Sequence, residues 1–184
     1  VEHCKRDYKK SAYELSSYGC TLEFLRRNFE RVQSSEYYPG KGLGTLVEGI
    51  DNQDVQKLTY SDSSFDIITS NQVFEHVPDD IRGFSECFRV LRTGGALVFT
   101  VPWYDTKETT RKASIVNGEV VFDGEPEYHD SRIDGANSSP VFHHHSKNDI
   151  CDRVKSVGFS KVFLREVRIS KYQGSSQLVL YAIK

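Results

Sequence analysis

Apolar residues recur at helical spacing in three stretches of the chain. In "TLEFLRRNF" Leu22, Leu25 and Phe29 fall on one face and predict a helix over 21–29. In "DDIRGFSECFRVL" Ile81, Phe84, Phe88 and Leu91 do the same over 79–91, with Asp79 or Asp80 available as the cap. "KNDICDRVKSVGF" predicts a third amphipathic helix over 147–159, ended by Gly158. Between these lie short apolar runs of strand type. They are "SAYEL" (11–15), "RVQSSEYY" (31–38), a weak "TLVEGI" (45–50), Asp66 to Ser70, "ALVFTVP" (96–102), "KVFLREVRI" (161–169) and "QLVLYAI" (177–183). The turn-rich "PGKGLG" closes the second run and Pro102 stops the fifth, while "TGG" at 93–95 is expected to end the second helix.

Strands alternating with helices predict an α/β fold, a doubly wound and mostly parallel Rossmann-like sheet. The link between the last two strands, 170–176, is too short for a helical crossover, so they are expected as an antiparallel hairpin at the sheet edge. From 103 to 145 the pattern fails: the segment is polar and turn-rich, with one hairpin expected around Asn117-Gly118. So long a connection inside a compact domain usually serves function. The chain, 1–184, is therefore expected to be one domain with the insertion 103–145 covering its site.

Bulk properties remove several function classes. A net charge of −2 over 184 residues offers no electrostatic footprint for nucleic acid or an anionic membrane. No apolar run approaches the roughly 20 residues that span a bilayer. The leading "VEHCKRDYKK" lacks the apolar centre of a signal peptide, which makes the cytoplasm the expected compartment. Cys4, Cys20, Cys87 and Cys151 are scattered without a C-x-x-C pair, and are expected as reduced, structural thiols.

The segment "DVQKLTYSDSSFDIITSNQVFEHVPDDIRGFSECFRVLRTGGALVFTVP" (54–102) carries several linked features. An acidic residue precedes an apolar one and a Leu; "YSDSSFD", a strand, "EHV", a helix ending "RVLRTGG" and a strand ending in Pro follow. In this it closely resembles class I S-adenosylmethionine-dependent methyltransferases, in the small-molecule branch often called type 11. The resemblance implies S-adenosylmethionine as cofactor and a small-molecule acceptor. It puts Glu14 at the acidic end of the first strand, and "SSYG" where the family has a glycine-rich turn. Ser16 and Ser17 are small and Gly19 is permissive, so backbone amides could still approach a ligand that carries no phosphates; Tyr18 is the departure. By the same resemblance Glu36, 22 residues after Glu14, would accept the ribose hydroxyls. Asp54 and the Val55 amide would face the adenine, and Ser70, Asn71 and Gln72 the methionine end. The competing and less favoured reading of Asp54 is as the cap of its own turn.

Methyl transfer from a sulfonium asks the protein mainly to position the nucleophile and exclude water; a base is needed only when the acceptor must lose a proton. His76 in "FEHV" follows the central strand at its carboxyl end and is the first base candidate, although "EH" could instead cap the following loop. His129, in the insertion with Trp103, Tyr104 and Tyr128, is the second. His143, His144 and His145 are consecutive, but on an extended segment only the first and third share a face, and no acidic residue stands at ligand spacing. No metal site is expected there. Two other classes compete: a non-catalytic binding module on the same fold, favoured by the altered turn, and a nicotinamide-dependent oxidoreductase, disfavoured because G-x-G-x-x-G is missing.

Overall fold

The computed structural model describes residues 10–131, 135–168 and 176–184. Residues 1–9, Cys4 among them, and most of the 170–176 link lie outside them. The chain runs β1 (Ser11–Glu14), α1 (Cys20–Asn28), β2 (Arg31–Glu36), β3 (Leu46–Val47), β4 (Ile50–Asn52) and β5 (Phe65–Asn71). A 3-10 turn, Phe74–His76, leads into α2 (Asp80–Val90) and β6 (Leu91–Thr100). Then follow β7 (Trp103–Tyr104), β8 (Thr110–Arg111), β9 (Ala113–Val116), β10 (Glu119–Phe122), β11 (Tyr128–Ser131), β12 (Gly135–Pro140) and β13 (His143–Ser146). The chain closes with α3 (Ile150–Lys155), β14 (Lys161–Arg168) and β15 (Ser176–Ile183).

The main sheet has the order β14-β15-β6-β5-β1-β2-β4-β3. Its centre is parallel, and β15 enters antiparallel between β6 and the edge strand β14, as the short link requires. The buried strands carry the core: Tyr13, Ile68, Leu97, Phe99 and Leu180 are almost wholly shielded from water. On α2 the Asp79 side chain caps the helix by accepting from the Arg82 amide at 3.0 Å. That helix buries Phe84, Cys87 and Val90 against the sheet, and Phe74, Phe84 and Phe99 stack as a cluster at its foot. Cys20, Cys87 and Cys151 are free thiols. Among the described residues no helix is long and apolar enough to cross a membrane.

Two sequence expectations change. The "TGG" at 93–95 does not end α2: Leu91 is already extended (φ −74°, ψ 142°), and the glycines lie inside β6. There a register shift against β5 between Phe65 and Ile67 marks a bulge. Gly95 serves close approach, since a Cβ would fall 2.9 Å from the Arg92 carbonyl oxygen and 3.0 Å from that of Asp66. The insertion is also more regular than its sequence. The Asn117-Gly118 hairpin is present, with both residues at positive φ (52° and 85°) as a two-residue turn demands. Around it, β11 pairs with β12, and β13 lies between β7 and β8. Strands of two to four residues, paired across gaps of tens of residues, leave too little periodicity to read locally.

Candidate active site

Parallel register sets the site. β1 and β5 align Glu14 beside Thr69, and β5 and β6 align Asn71 beside Thr100, so these side chains meet at one end of the sheet. Glu14 is fully buried; Thr69 Oγ1 donates to its Oε2, and Ser16 Oγ to its Oε1 at 3.4 Å. Burial dominates over these two bonds and raises its carboxyl to about 7. The turn 16–19 follows. Ser17 donates twice to Glu36 Oε1, from its amide at 2.7 Å and its hydroxyl at 2.9 Å. The carboxylate ending β2 thereby holds the serine-rich turn against the sheet. Gly19 precedes α1 at φ 100°, a conformation that disfavours any side chain, and a Cβ there would meet nothing within 4 Å. The turn is open on that side.

Asp54 is the least free of the predicted ligands. Its Oδ1 accepts from the Gln56 amide at 2.8 Å and the Gln56 side chain at 3.0 Å, and its carbonyl accepts from the Lys57 amide at 2.8 Å, so it does cap its own turn. The Val55 side chain is in the core, against the α carbon of Gly83. At the end of β5, Ser70 is buried and its hydroxyl has no partner among the described residues. Asn71 is exposed; it donates to Thr21 Oγ1 on α1 and accepts from Thr100 Oγ1. Gln72 (φ 54°) is tied to Thr100 through backbone and side chain. Glu14, Ser16, Ser17, Gly19 and Glu36 thus form one group, and Ser70, Asn71 and Gln72 a second, joined by Thr69 and Thr100. Neither threonine stood out in the sequence. Only the strand register could have indicated them.

The insertion closes over the 3-10 turn. The Phe142 amide donates to the Glu75 carbonyl at 2.8 Å, and His76 Nδ1 lies 2.9 Å from the Pro140 carbonyl oxygen. A carbonyl can only accept, so Nδ1 carries the proton and Nε2 keeps its lone pair. Burial, ahead of the Pro140 bond, lowers the His76 pKa. His129, from β11, brings its Nδ1 to 3.3 Å from His76 Nε2 with the rings edge to face, so the two histidines singled out in the sequence do meet. Glu75 is buried beside them and burial raises its carboxyl to about 8. Trp103 donates from its indole to the Leu178 carbonyl at 2.7 Å, fastening the start of the insertion to β15.

The His143–His145 triplet alternates as an extended strand must. His143 and His145 are buried facing Asp80, each 3.8 Å from one of its oxygens, while His144 turns the other way to Glu127 at 2.6 Å and stacks on Tyr104. Asp80 also accepts from Arg153 through both oxygens at 2.6 Å. This cluster clamps β13 to the start of α2 and the last turn of α3. Burial lowers the His145 pKa to about 4.

Residues 16–99 match the family described as "Methyltransferase domain". The chain is 33% identical over 91 residues to a sarcosine/dimethylglycine N-methyltransferase from Halorhodospira halochloris, a match covering 49% of this chain and 32% of that protein. The chain thus spans a third or less of the length of the first curated relatives it matches. Among solved structures, an S-adenosylmethionine-dependent methyltransferase from Mesorhizobium loti superposes with a TM-score of 0.61 at 16% identity, over 96% of this chain and 91% of that one. A 1,6-didemethyltoxoflavin-N1-methyltransferase from Burkholderia thailandensis, solved with 1,6-didemethyltoxoflavin and S-adenosylhomocysteine, does so at 0.57 and 14%, over 96% and 71%. Residues 16–99, from the serine-rich turn to β6, thus resemble a methyltransferase domain, and nearly the whole chain has the fold of the solved methyltransferases.

Proposed function

We propose that the chain is an active S-adenosylmethionine-dependent methyltransferase whose acceptor is a small molecule held between the carboxyl end of β5 and the insertion 103–145. The observation that carries this reading is the Ser17–Glu36 contact. The turn has one glycine, yet it keeps an open face at Gly19 and is braced by the carboxylate that the family resemblance assigns to the ribose. The residues fit the cofactor: Glu36 Oε2 is left to accept from ribose hydroxyls, Ser16 and Ser17 are small, and the unpartnered Ser70 hydroxyl and exposed Asn71 and Gln72 suit a charged amino-acid end. Asp54 and Val55 would border the adenine, with Asp54 sharing its carboxylate with Gln56. The cofactor, when bound, supplies a methyl group on a sulfonium that leaves as a neutral thioether.

The chain's own part is positioning. Glu14 and Thr69 fix the end of β1 against β5, and the insertion keeps water from the acceptor. His76 Nε2, its lone pair set by the Nδ1 bond to Pro140, takes the proton of a hydroxyl acceptor in the metal-free chain, with His129 beside it. The small-molecule relatives named above support this acceptor class. Titration of S-adenosylhomocysteine into the chain tests the reading. Binding should weaken about 10- to 150-fold in Glu36→Ala, the loss of roughly 1.5–3 kcal/mol for a hydrogen bond to a charged group. No binding to the unaltered chain would leave the non-catalytic alternative in its place; unchanged affinity in Glu36→Ala would refute the ribose placement.

A further inference from the structure

Glu75, His76 and His129 bring three donor atoms to one point. Glu75 Oε1 lies 3.8 Å from His76 Nε2 and 4.0 Å from His129 Nδ1, and the two nitrogens are 3.3 Å apart. A triangle with these sides has its centre about 2.2 Å from each corner, within about 0.2 Å of the bond lengths zinc makes to imidazole and carboxylate. No side chain has to move far to bind. Glu75 itself is the second, separate observation. It is 1% exposed, and neither carboxylate oxygen has a hydrogen-bond partner among the described residues. The polar atoms it faces are the two imidazole nitrogens, at distances too long for hydrogen bonds. A buried acid aimed at two histidine nitrogens and paired with nothing is the environment a cation completes.

The surroundings orient the donors as outer-shell groups do around metals. The Pro140 carbonyl fixes the His76 tautomer and leaves the Nε2 lone pair available to a cation. Behind His129, Glu127 lies 3.8 Å from Nε2 and is itself held by His144 at 2.6 Å. We propose that Glu75 Oε1, His76 Nε2 and His129 Nδ1 bind one divalent first-row transition ion of the zinc class. Two imidazoles with one carboxylate disfavour calcium and magnesium, which prefer oxygen donors throughout. Three protein ligands leave a fourth tetrahedral position for water or for an oxygen of the acceptor. With the ion bound, His76 is a ligand rather than a base, and an acceptor hydroxyl at the fourth position loses its proton to solvent because the cation stabilises the oxyanion. That last role rests on the proposed methyl transfer; the binding site does not.

The sequence marked His76 and His129 as candidate bases but suggested no metal at them. The consecutive histidines drew attention, but they face Asp80, Arg153 and Glu127, whereas His129 stands 53 residues from His76 and reaches it through the β11–β12 ladder. The rival arrangement is a plain hydrogen bond from His129 Nδ1 to His76 Nε2, which leaves Glu75 unpartnered.

The test is zinc titration of the untagged, chelator-stripped chain against a chromophoric chelator, with cobalt absorption as a second readout. One zinc per chain is expected, with cobalt showing the intense visible bands of a four-coordinate site. His129→Ala removes a half-exposed ligand and Glu75→Gln a buried one; each should weaken zinc more than the roughly 100-fold upper end seen for outer-shell partners. Cys20→Ser, at an exposed thiol, should leave the affinity unchanged. Substoichiometric zinc in the unaltered chain, or full affinity in folded His129→Ala, overturns the proposal. S-adenosylhomocysteine titration of the same samples reports on the cofactor site separately, so its failure would sink the proposed function and leave the metal result standing.

Discussion

Glu14 should make this protein lose stability as the pH rises through the neutral range. In the folded chain its carboxyl is fully buried and titrates near about 7, against 4.5 for the free side chain, because burial outweighs the bonds from Thr69 and Ser16. The folded state therefore holds a proton that the unfolded state has released. The Glu14 contribution is fully present below pH 4.5, declines as the pH climbs, and is gone once the pH has passed about 7. A separation of about 2.5 pH units corresponds to roughly 3 kcal/mol. Glu14→Gln keeps the shape and an acceptor for Thr69 but cannot ionise. Urea unfolding of both proteins at pH 5, 6, 7 and 8 isolates the residue, since other titrating groups cancel in the difference. The glutamine variant should gain about 3 kcal/mol relative to the unaltered chain between the acid and alkaline limits, most of it between pH 5 and 7. A difference that stays constant within about 0.5 kcal/mol across the series would show that Glu14 ionises normally and that its burial has been misread.

Two other tests address the insertion. Asp80→Asn removes the carboxylate shared by Arg153, His143 and His145; breaking this buried cluster should cost about 3 kcal/mol and lower Tm, read by calorimetry, with no loss expected if the triplet is mere surface. If residues 103–145 cover the acceptor site, hydrogen exchange there should slow when S-adenosylhomocysteine is added; equal and high protection in both states would remove the idea of a closing cover and spare the proposed methyl transfer.

Much of the fold was legible because its signals are local. Helical spacing in α1 and α2, the Asp79 cap, the Asn117-Gly118 turn and the antiparallel pairing of the last two strands each depend on residues close together in the chain, and each stands in the structure as expected. The linked segment 54–102 carried the resemblance to methyltransferases for the same reason, and it lies almost wholly inside the matched residues 16–99. The "TGG" boundary was misplaced because a bulge in β6 is a matter of pairing with β5, which no stretch of β6 alone records.

By itself the sequence determined the alternation of strands and helices, the antiparallel closing hairpin, the residues that end the first two strands, Glu14 and Glu36, and the small-residue turn with Ser17 and Gly19. Only tertiary structure decided how they act. Parallel register set Thr69 against Glu14 and bent the Ser17 turn back to Glu36, and burial then held the Glu14 proton. Tertiary structure also decided which histidines share a site. It drew His129 to Glu75 and His76 and turned the conspicuous triplet into a clamp, because short strands pair wherever the chain's path brings their edges together, and spacing along the sequence does not record that path.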